Sequence, residues 1–172
     1  CFTYEEAKFK LEYGMKVLIR EGSAAKNFEA LIDLLHDFPN EIMFCSDDKH
    51  PDDLLLGHIN LLVKRALSKG INLFKVLKAA CVNPVLHYNL NVGLLRIMDN
   101  ADFIIINNLK DFEILETYID GKLVAQNGNS FIETKPEKVI NNFSIKEKNV
   151  ADFELQVLTD KVRIIEVIDG QL

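Results

Sequence analysis

The chain has 172 residues, of which 48% are hydrophobic and 27% are charged, and its formal net charge is −6. This composition can build a packed core, which excludes a disordered polar chain. The negative charge argues against nucleic-acid binding, which needs a concentrated excess of Lys and Arg. Since no apolar run is long enough to cross a bilayer, we expect neither nucleic acid nor a membrane as a partner. The widely spaced Cys1, Cys45 and Cys81 favour reduced thiols and a cytoplasmic location.

The first half of the chain alternates predicted helices and strands. In chain order, the pattern predicts a helix over residues 4–12, a strand over 15–20, a helix over 24–38, a strand over 42–45, and helices over 51–69 and 73–81. Asn83-Pro84 is expected to end the last of these helices, because Pro lacks a backbone N–H. Alternation of this kind predicts an α/β fold with parallel strands joined by crossovers.

The second half changes character near Gly93 and predicts short antiparallel strands. These strands cover residues 101–106, 115–119, 122–126 and 130–133, and Asp120-Gly121 predicts a type I′ hairpin turn. Residues 134–149 are polar and are interpreted as a linker. A further strand is predicted over 161–168, followed by a turn at Asp169-Gly170 with no partner strand after it. An unpaired strand exposes backbone groups, so we expect a chain that is truncated, as the helix-like start also indicates.

The most informative segment is Phe44-Cys45-Ser46-Asp47-Asp48-Lys49-His50-Pro51. It predicts a buried strand that ends in carboxylates and one histidine, followed at once by a helix. In parallel α/β enzymes the carboxyl ends of the strands form the active-site face. Asp47 is therefore a candidate catalytic residue, although the pattern alone equally allows Asp47 and Asp48 to cap the helix that begins near Pro51.

Three segments of the sequence carry a family resemblance. The first is Arg20-Glu21-Gly22-Ser23-Ala24-Ala25. The second is Cys45-Ser46-Asp47-Asp48, with Gly57-His58 after it. The third runs from Ala79 to Asn83-Pro84 and on to Ala101-Asp102. Together they resemble the adenine deaminases of the amidohydrolase superfamily, in which Thr is more usual at the position of Ser46. The resemblance implies the last two βα units of a (β/α)8 barrel over residues 1–92, a segment of a small antiparallel β domain over 93–133, and a linker with the truncated start of a further C-terminal domain over 134–172.

The resemblance also implies a reaction, the hydrolysis of adenine to hypoxanthine and ammonia, and a divalent metal, Mn or Fe. Asp47 would ligate that metal and exchange a proton with the attacking water, because a divalent ion makes bound water acidic and a carboxylate can carry its proton. The family's His-x-His pair is absent from this sequence, so the chain alone is expected to be inactive. A purine base is the implied partner, and the full-length protein is implied to be a homo-oligomer.

Four further residues are candidates for substrate binding. Arg20, Glu21 and Ser23 follow the strand before Asp47, and they can hold the purine or order an active-site loop. The alternative is a structural Arg20–Glu21 pair with Ser23 as an ordinary helix N-cap. His50 can contact the substrate, or it can be a solvated loop residue, and Asp48 is the expected capping residue.

Two other functions stay open from the sequence. A related amidohydrolase acting on another cyclic amide or amine would keep the role of Asp47 and use the residues after Arg20 differently. A non-catalytic β-rich interaction module would explain the missing histidine ligands, but it would leave the apolar strands at 15–19 and 42–45 without partners.

Overall fold

The computed structural model describes residues 1–156, 160–168 and 170. The contacts divide these residues into two units, one of residues 1–132 with Ile168 and Gly170, the other of residues 133–167. The units are described separately below. The division at residues 92 and 133 that the sequence suggested stays a prediction.

The first unit begins with two parallel strands flanked by helices. The helices are α1 (Tyr4–Glu12), α2 (Phe28–Leu31), α3 (Pro51–Leu56), α4 (Ile59–Ser68), α5 (Leu73–Leu77) and α6 (Asn83–Tyr88), and the strands are β1 (Val17–Arg20) and β2 (Ile42–Cys45). A 3-10 segment (Ile32–His36) continues α2, and a π-helical segment (Lys78–Val82) joins α5 to α6. β1 pairs in parallel with β2, so that Val17 lies opposite Ile42 and Arg20 opposite Cys45.

The core of this unit lies between the strand pair and the helices. In β2, Ile42, Met43 and Phe44 are all buried, as expected when both faces of a parallel strand are covered. Other fully buried side chains come from α2 and the 3-10 segment, which pack against the strands; they are Phe28, Leu31, Ile32, Leu34 and Leu35. The parallel pair with its crossover confirms the predicted βα organisation.

An antiparallel sheet of four strands follows in the same unit. Its order is β3 (Phe103–Ile106), β4 (Ile114–Ile119), β5 (Lys122–Gln126) and β6 (Asn129–Ser130). The turn between β4 and β5 has φ of 50° at Asp120 and 72° at Gly121, which confirms the predicted type I′ hairpin. The last strand is shorter than the predicted 130–133.

The predicted helix over residues 24–38 is wrong at its start. Residues 24–27 form a loop, and α2 begins only at Phe28. The cause is local hydrogen bonding: the Gly22 N–H donates to the Ala25 carbonyl and Glu21 forms a β-bridge with Lys26. These contacts hold the backbone out of helical geometry until Asn27.

The single helix predicted over residues 51–69 is two helices, α3 and α4. The chain breaks at Gly57, whose φ of 137° lies outside the range that side-chain-bearing residues adopt. A Cβ there would also lie 2.7 Å from the Leu61 side chain. The interruption therefore ends α3 at Leu56, and α4 begins at Ile59.

The prediction that Asn83-Pro84 ends a helix is wrong as well. The π-helical segment precedes it, and α6 starts at Asn83 with Pro84 in the first turn, where the missing N–H has no helical partner to lose. Asn83 is buried, and its side-chain amide donates to the carbonyls of Pro39 and Ile42 at 2.8 Å each. The junction is therefore tied to the start of β2.

Among the described residues of the second unit, one short 3-10 segment covers Val150–Phe153. Residues 161–168 have no regular secondary structure, so the strand predicted there is wrong for the described part of the chain. A strand is stabilised by its ladder partner, and no ladder in the described residues includes this segment. Asp169, the first residue of the predicted turn, lies outside the described residues.

Candidate active site

Two loops leave the carboxyl ends of β1 and β2 side by side. We call residues 21–27 rim loop 1 and residues 46–50 rim loop 2. Because the strands are parallel, both loops emerge at the same edge of the sheet. The Glu21 N–H donates to the Cys45 carbonyl at 3.3 Å, so the ladder continues to the base of the loops. The sequence-predicted site residues Arg20, Glu21, Ser23, Asp47 and His50 all lie here.

Asp47 lies at the exposed side of this rim. Its Oδ2 accepts a hydrogen bond from Arg20 Nη1 at 2.5 Å, and its side chain is 35% exposed. The N-cap position of α3 is His50, so the interpretation of Asp47 and Asp48 as caps of that helix is wrong. An open cavity of about 340 Å³ runs along β1 and reaches Arg20, Cys45 and Asp47. The carboxylate can therefore accept a proton from a small molecule in that cavity.

Arg20 is held in place from several directions. Its backbone N–H donates to Asn27 Oδ1 at 2.8 Å, and its guanidinium lies over the Phe2 ring at 5.5 Å. The buried Asn27 also donates through its amide to the carbonyls of Leu18 and Cys1. Arg20 thus presents a fixed positive charge to Asp47, and a charge-assisted hydrogen bond of this kind orients the carboxylate.

Ser23 and His50 join the two rim loops. Ser23 Oγ accepts a hydrogen bond from the His50 backbone N–H at 2.9 Å and donates one to Asp53 Oδ2. The alternative of Ser23 as an ordinary helix N-cap is wrong, because α2 starts after Asn27. The His50 residue is exposed at the rim, which leaves its imidazole accessible to a ligand.

Glu21 faces away from Asp47, towards α4. Its Oε2 accepts from Arg65 Nη1 at 2.6 Å, and its Oε1 accepts from the Phe28 N–H at 3.3 Å. The alternative of a structural Arg20–Glu21 pair is therefore wrong, since Arg20 pairs with Asp47 and Glu21 with Arg65. The Arg65 guanidinium also lies 4.1 Å from the centre of the Phe28 ring. Glu21 ties rim loop 1 to α4.

Sequence reasoning missed Arg65 and Asn27. Arg65 borders the apolar stripe on α4 that contains the buried Leu62, Val63 and Ala66, and this position was its only sequence signal. Burial lowers the pKa of Arg65, but hydrogen bonds to Glu29 and Glu21 outweigh it and raise the pKa overall. Arg65 therefore keeps its charge.

The Cys45 thiol at the base of the rim adds no nucleophile. Burial raises the pKa of the Cys45 thiol, and a protonated thiol is a poor nucleophile. In the part of the chain that the structure describes, no three His, Cys, Asp or Glu side chains are grouped so that they can hold a metal ion. Asp47 can supply one ligand through its exposed carboxylate, but the described residues do not make a complete metal site.

The ion pairs of Glu29 predict a contribution to the free energy of unfolding that depends on pH. Hydrogen bonds from Lys69 and then Arg65, at 2.7 Å each, lower the pKa of Glu29 from its ordinary value of 4.5. A lowered pKa stabilises the fold above that ordinary value, and the contribution is lost as the pH falls through the folded-state pKa. We expect Glu29→Gln to destabilise the protein by under about 1 kcal/mol at pH 7, because these groups are exposed.

Chemical denaturation of both proteins from pH 7 to pH 3 measures this effect. The difference in the free energy of unfolding should shrink towards zero below pH 4.5, and added salt should shrink it at pH 7. A difference that stays constant over the whole pH range would contradict the assigned ion pairs.

Comparison with known proteins shows the family to which this chain belongs. Residues 5–124 match the model of the amidohydrolase family, and the chain belongs to that family. Its curated relatives include adenine deaminases that match it over its whole length. The sequence is 51% identical to that of Salinibacter ruber over 172 residues, 52% to that of a Sulfurovum species over 172 and 44% to that of Methanosarcina mazei over 185. These matches confirm the resemblance to adenine deaminases.

The chain spans about a third of the length of these relatives, 32% for the Salinibacter protein and 33% for the Methanosarcina protein. Among solved structures, the beta-aspartyl dipeptidase of Fervidobacterium islandicum superposes with a TM-score of 0.61 and 20% identity, covering 76% of this chain and 36% of its own. A second structure of that enzyme, in complex with beta-Asp-Leu dipeptide, gives a TM-score of 0.59 and 18% identity. These structures support the fold, part of an amidohydrolase barrel followed by a small β domain. In the described residues, no helix is long and apolar enough to cross a membrane.

Proposed function

We propose that this chain is part of an adenine deaminase, which hydrolyses adenine to hypoxanthine and ammonia. The observation that carries the proposal is the position of Asp47, at the carboxyl end of a parallel strand with its carboxylate beside an open cavity. The match of the whole chain to adenine deaminases supports adenine as the substrate over other cyclic amides or amines. A non-catalytic module has no comparable support.

The proposed chemistry needs a group that moves protons. Water attacks C6 of adenine: the new C–O bond forms, the C6–N1 π bond opens onto N1, and the water gives up a proton. Asp47 accepts that proton and delivers it to the amino group on C6. The electron pair on N1 then re-forms the C6–N1 double bond as the C–N bond to the amino group breaks, so that ammonia leaves and hypoxanthine remains in its 6-hydroxy form. The hydrogen bond from Arg20 keeps the Asp47 carboxylate oriented during the first transfer.

A divalent metal, Mn or Fe, is part of the proposal. When bound, such an ion would lower the pKa of water near the substrate. Asp47 is the residue of this chain that we propose as a ligand. The remaining ligands would come from parts of the protein outside these 172 residues, since the described residues do not form a complete site.

The other rim residues divide into two proposed roles. We assign Arg20 and His50 to the substrate side, because both lie at the open side of the rim. Ser23 and Glu21 order the rim loops, because their side-chain oxygens are engaged by His50, Arg65 and Phe28. For the complete protein we further propose a cytoplasmic homo-oligomer that serves purine salvage.

A substrate comparison tests the proposed function. The complete protein, supplied with Mn²⁺ or Fe²⁺, is expected to release ammonia from adenine and to leave cyclic amides such as hydantoin and dihydrouracil unchanged. Ammonia release and the absorbance change from adenine to hypoxanthine measure the reaction independently. Turnover of a cyclic amide without turnover of adenine would overturn the substrate assignment, and no turnover of either would overturn the function.

A further inference from the structure

Asp47 has a backbone conformation that needs support. Its φ is 47°, in the left-handed region that residues with a side chain occupy at a cost. Residues in this region persist when the surrounding contacts fix them, and they concentrate at functional sites. The contacts that fix the Asp47 backbone therefore decide where its carboxylate points.

Beside the hydrogen bond between Ser23 and His50, the neighbouring Asp48 makes a second side-chain link from rim loop 2 to the middle of rim loop 1. Its Oδ2 accepts a hydrogen bond from the Ala24 N–H at 3.1 Å. Its Oδ1 is buried, and among the described residues no donor contacts it. A buried carboxylate oxygen without a donor is costly, so hydrogen bonding explains the position of Oδ2 but not that of Oδ1.

Gly22 explains how Asp48 fits against rim loop 1. A Cβ on Gly22 would lie 1.7 Å from Asp48 Oδ1 and 2.9 Å from its Cγ, so only glycine leaves room for the carboxylate. The Gly22 N–H meanwhile donates to the Ala25 carbonyl at 2.9 Å, which holds this part of the loop in place. The Asp48 side chain is thus inserted between Gly22 and Ala24 of rim loop 1.

From this insertion we infer that Asp48 is a positioning residue for Asp47. The inference rests on the proposed function of Asp47 but concerns a different side chain. The insertion of the Asp48 side chain, which we call the lock, fixes rim loop 2 against rim loop 1. The lock holds the left-handed Asp47 backbone so that the Asp47 carboxylate accepts a hydrogen bond from Arg20 at 2.5 Å. Gly22 is the matching half of the lock, because it supplies the space that the Asp48 carboxylate fills.

Variants of both halves of the lock test the inference in the complete protein. We expect Asp48→Ala to lower kcat for adenine by about 10²-fold with KM changed by less than about threefold, since a small misplacement of a catalytic group has this effect. Asp48→Asn keeps an oxygen for the Ala24 N–H and should lose less than about tenfold in kcat. Gly22→Ala should behave like Asp48→Ala, because its methyl group displaces the carboxylate.

The double variant, Gly22→Ala with Asp48→Ala, distinguishes a lock that both residues form together from two independent defects. Once Asp48→Ala has removed the carboxylate, the methyl group of Gly22→Ala has room, so the double variant should be no slower than Asp48→Ala alone. Losses that multiply would contradict the lock. As a control, Asp52→Ala removes a nearby exposed carboxylate from the first turn of α3, and kcat should stay unchanged.

Crystal structures of the complete wild-type protein and its Asp48→Ala and Asp48→Asn variants give a readout that does not depend on activity. The distance between Asp47 Oδ2 and Arg20 Nη1 should exceed hydrogen-bond reach in Asp48→Ala and stay short in Asp48→Asn. An Asp47 that keeps its position in Asp48→Ala would overturn the inference. If the wild-type protein does not convert adenine, the proposed function fails, and these structures still decide the role of Asp48.

Discussion

Replacing Asp47 by asparagine is expected to lower kcat for adenine by about 10²- to 10⁴-fold, the usual contribution of a positioned acid–base group. The amide has nearly the same shape as the carboxylate and can still accept a hydrogen bond from Arg20, but it cannot take a proton from water. KM should change little, because the substrate contacts proposed for Arg20 and His50 remain. Steady-state kinetics of adenine conversion by the complete, metal-loaded protein measures both constants.

Two controls make the Asp47 result specific. Asp52→Asn is the same chemical change at an exposed carboxylate on α3, and it should leave kcat and KM unchanged. Metal analysis of the Asp47→Asn protein should show that most of the metal is retained, since Asp47 is one ligand among several in the proposed site. An Asp47→Asn enzyme with the turnover of the wild type would remove Asp47 from the mechanism.

The position of Asp47 could be predicted because the sequence around it is locally unambiguous. The apolar run at 42–45 is followed directly by polar residues and then by Pro51, and the structure has β2 at Ile42–Cys45 and α3 from Pro51. The α1 bounds and the hairpin at Asp120-Gly121 were predictable for the same reason, since their signals lie within a few residues.

The contacts that organise the rim could not be predicted from local signals. Glu21 and Arg65 are separated by 44 positions in the sequence, and a charge pattern along one helix does not show which loop an arginine contacts. The loop at 24–27 reads as helix because its composition is helical, whereas hydrogen bonds to residues on both sides of it decide its conformation. In such places tertiary contacts override helix propensity.

A glycine and a proline account for two of the differences between the predicted and the observed helices. Gly57 interrupts a helix that its apolar stripe predicts to be continuous, because its φ of 137° cannot be helical. Pro84 begins a helix because the preceding π-helical segment shifts the hydrogen-bonding pattern by one residue. The residue type marks a boundary in each case, and the neighbouring backbone decides which kind.

The second large expected effect concerns the support beneath the rim. Phe28 is completely buried, its ring lies 4.1 Å from the Arg65 guanidinium and 6.4 Å from the Phe44 ring, and its N–H donates to Glu21. Phe28→Ala is expected to lower the free energy of unfolding by about 3–5 kcal/mol, because it leaves a cavity in the core. The loss also removes the aromatic face against which Arg65 rests while it holds Glu21.

Chemical denaturation of the complete protein checks this prediction against two matched variants. Phe28→Leu keeps most of the apolar volume and should cost less than about 1.5 kcal/mol. Phe74→Ala makes the same change at a ring that is 76% exposed on α5, and it should stay within about 0.5 kcal/mol of the wild type. Equal losses in the free energy of unfolding for Phe28→Ala and Phe74→Ala would show that the ring of Phe28 does not support the rim. The Glu21–Arg65 ion pair would then have to hold rim loop 1 on its own.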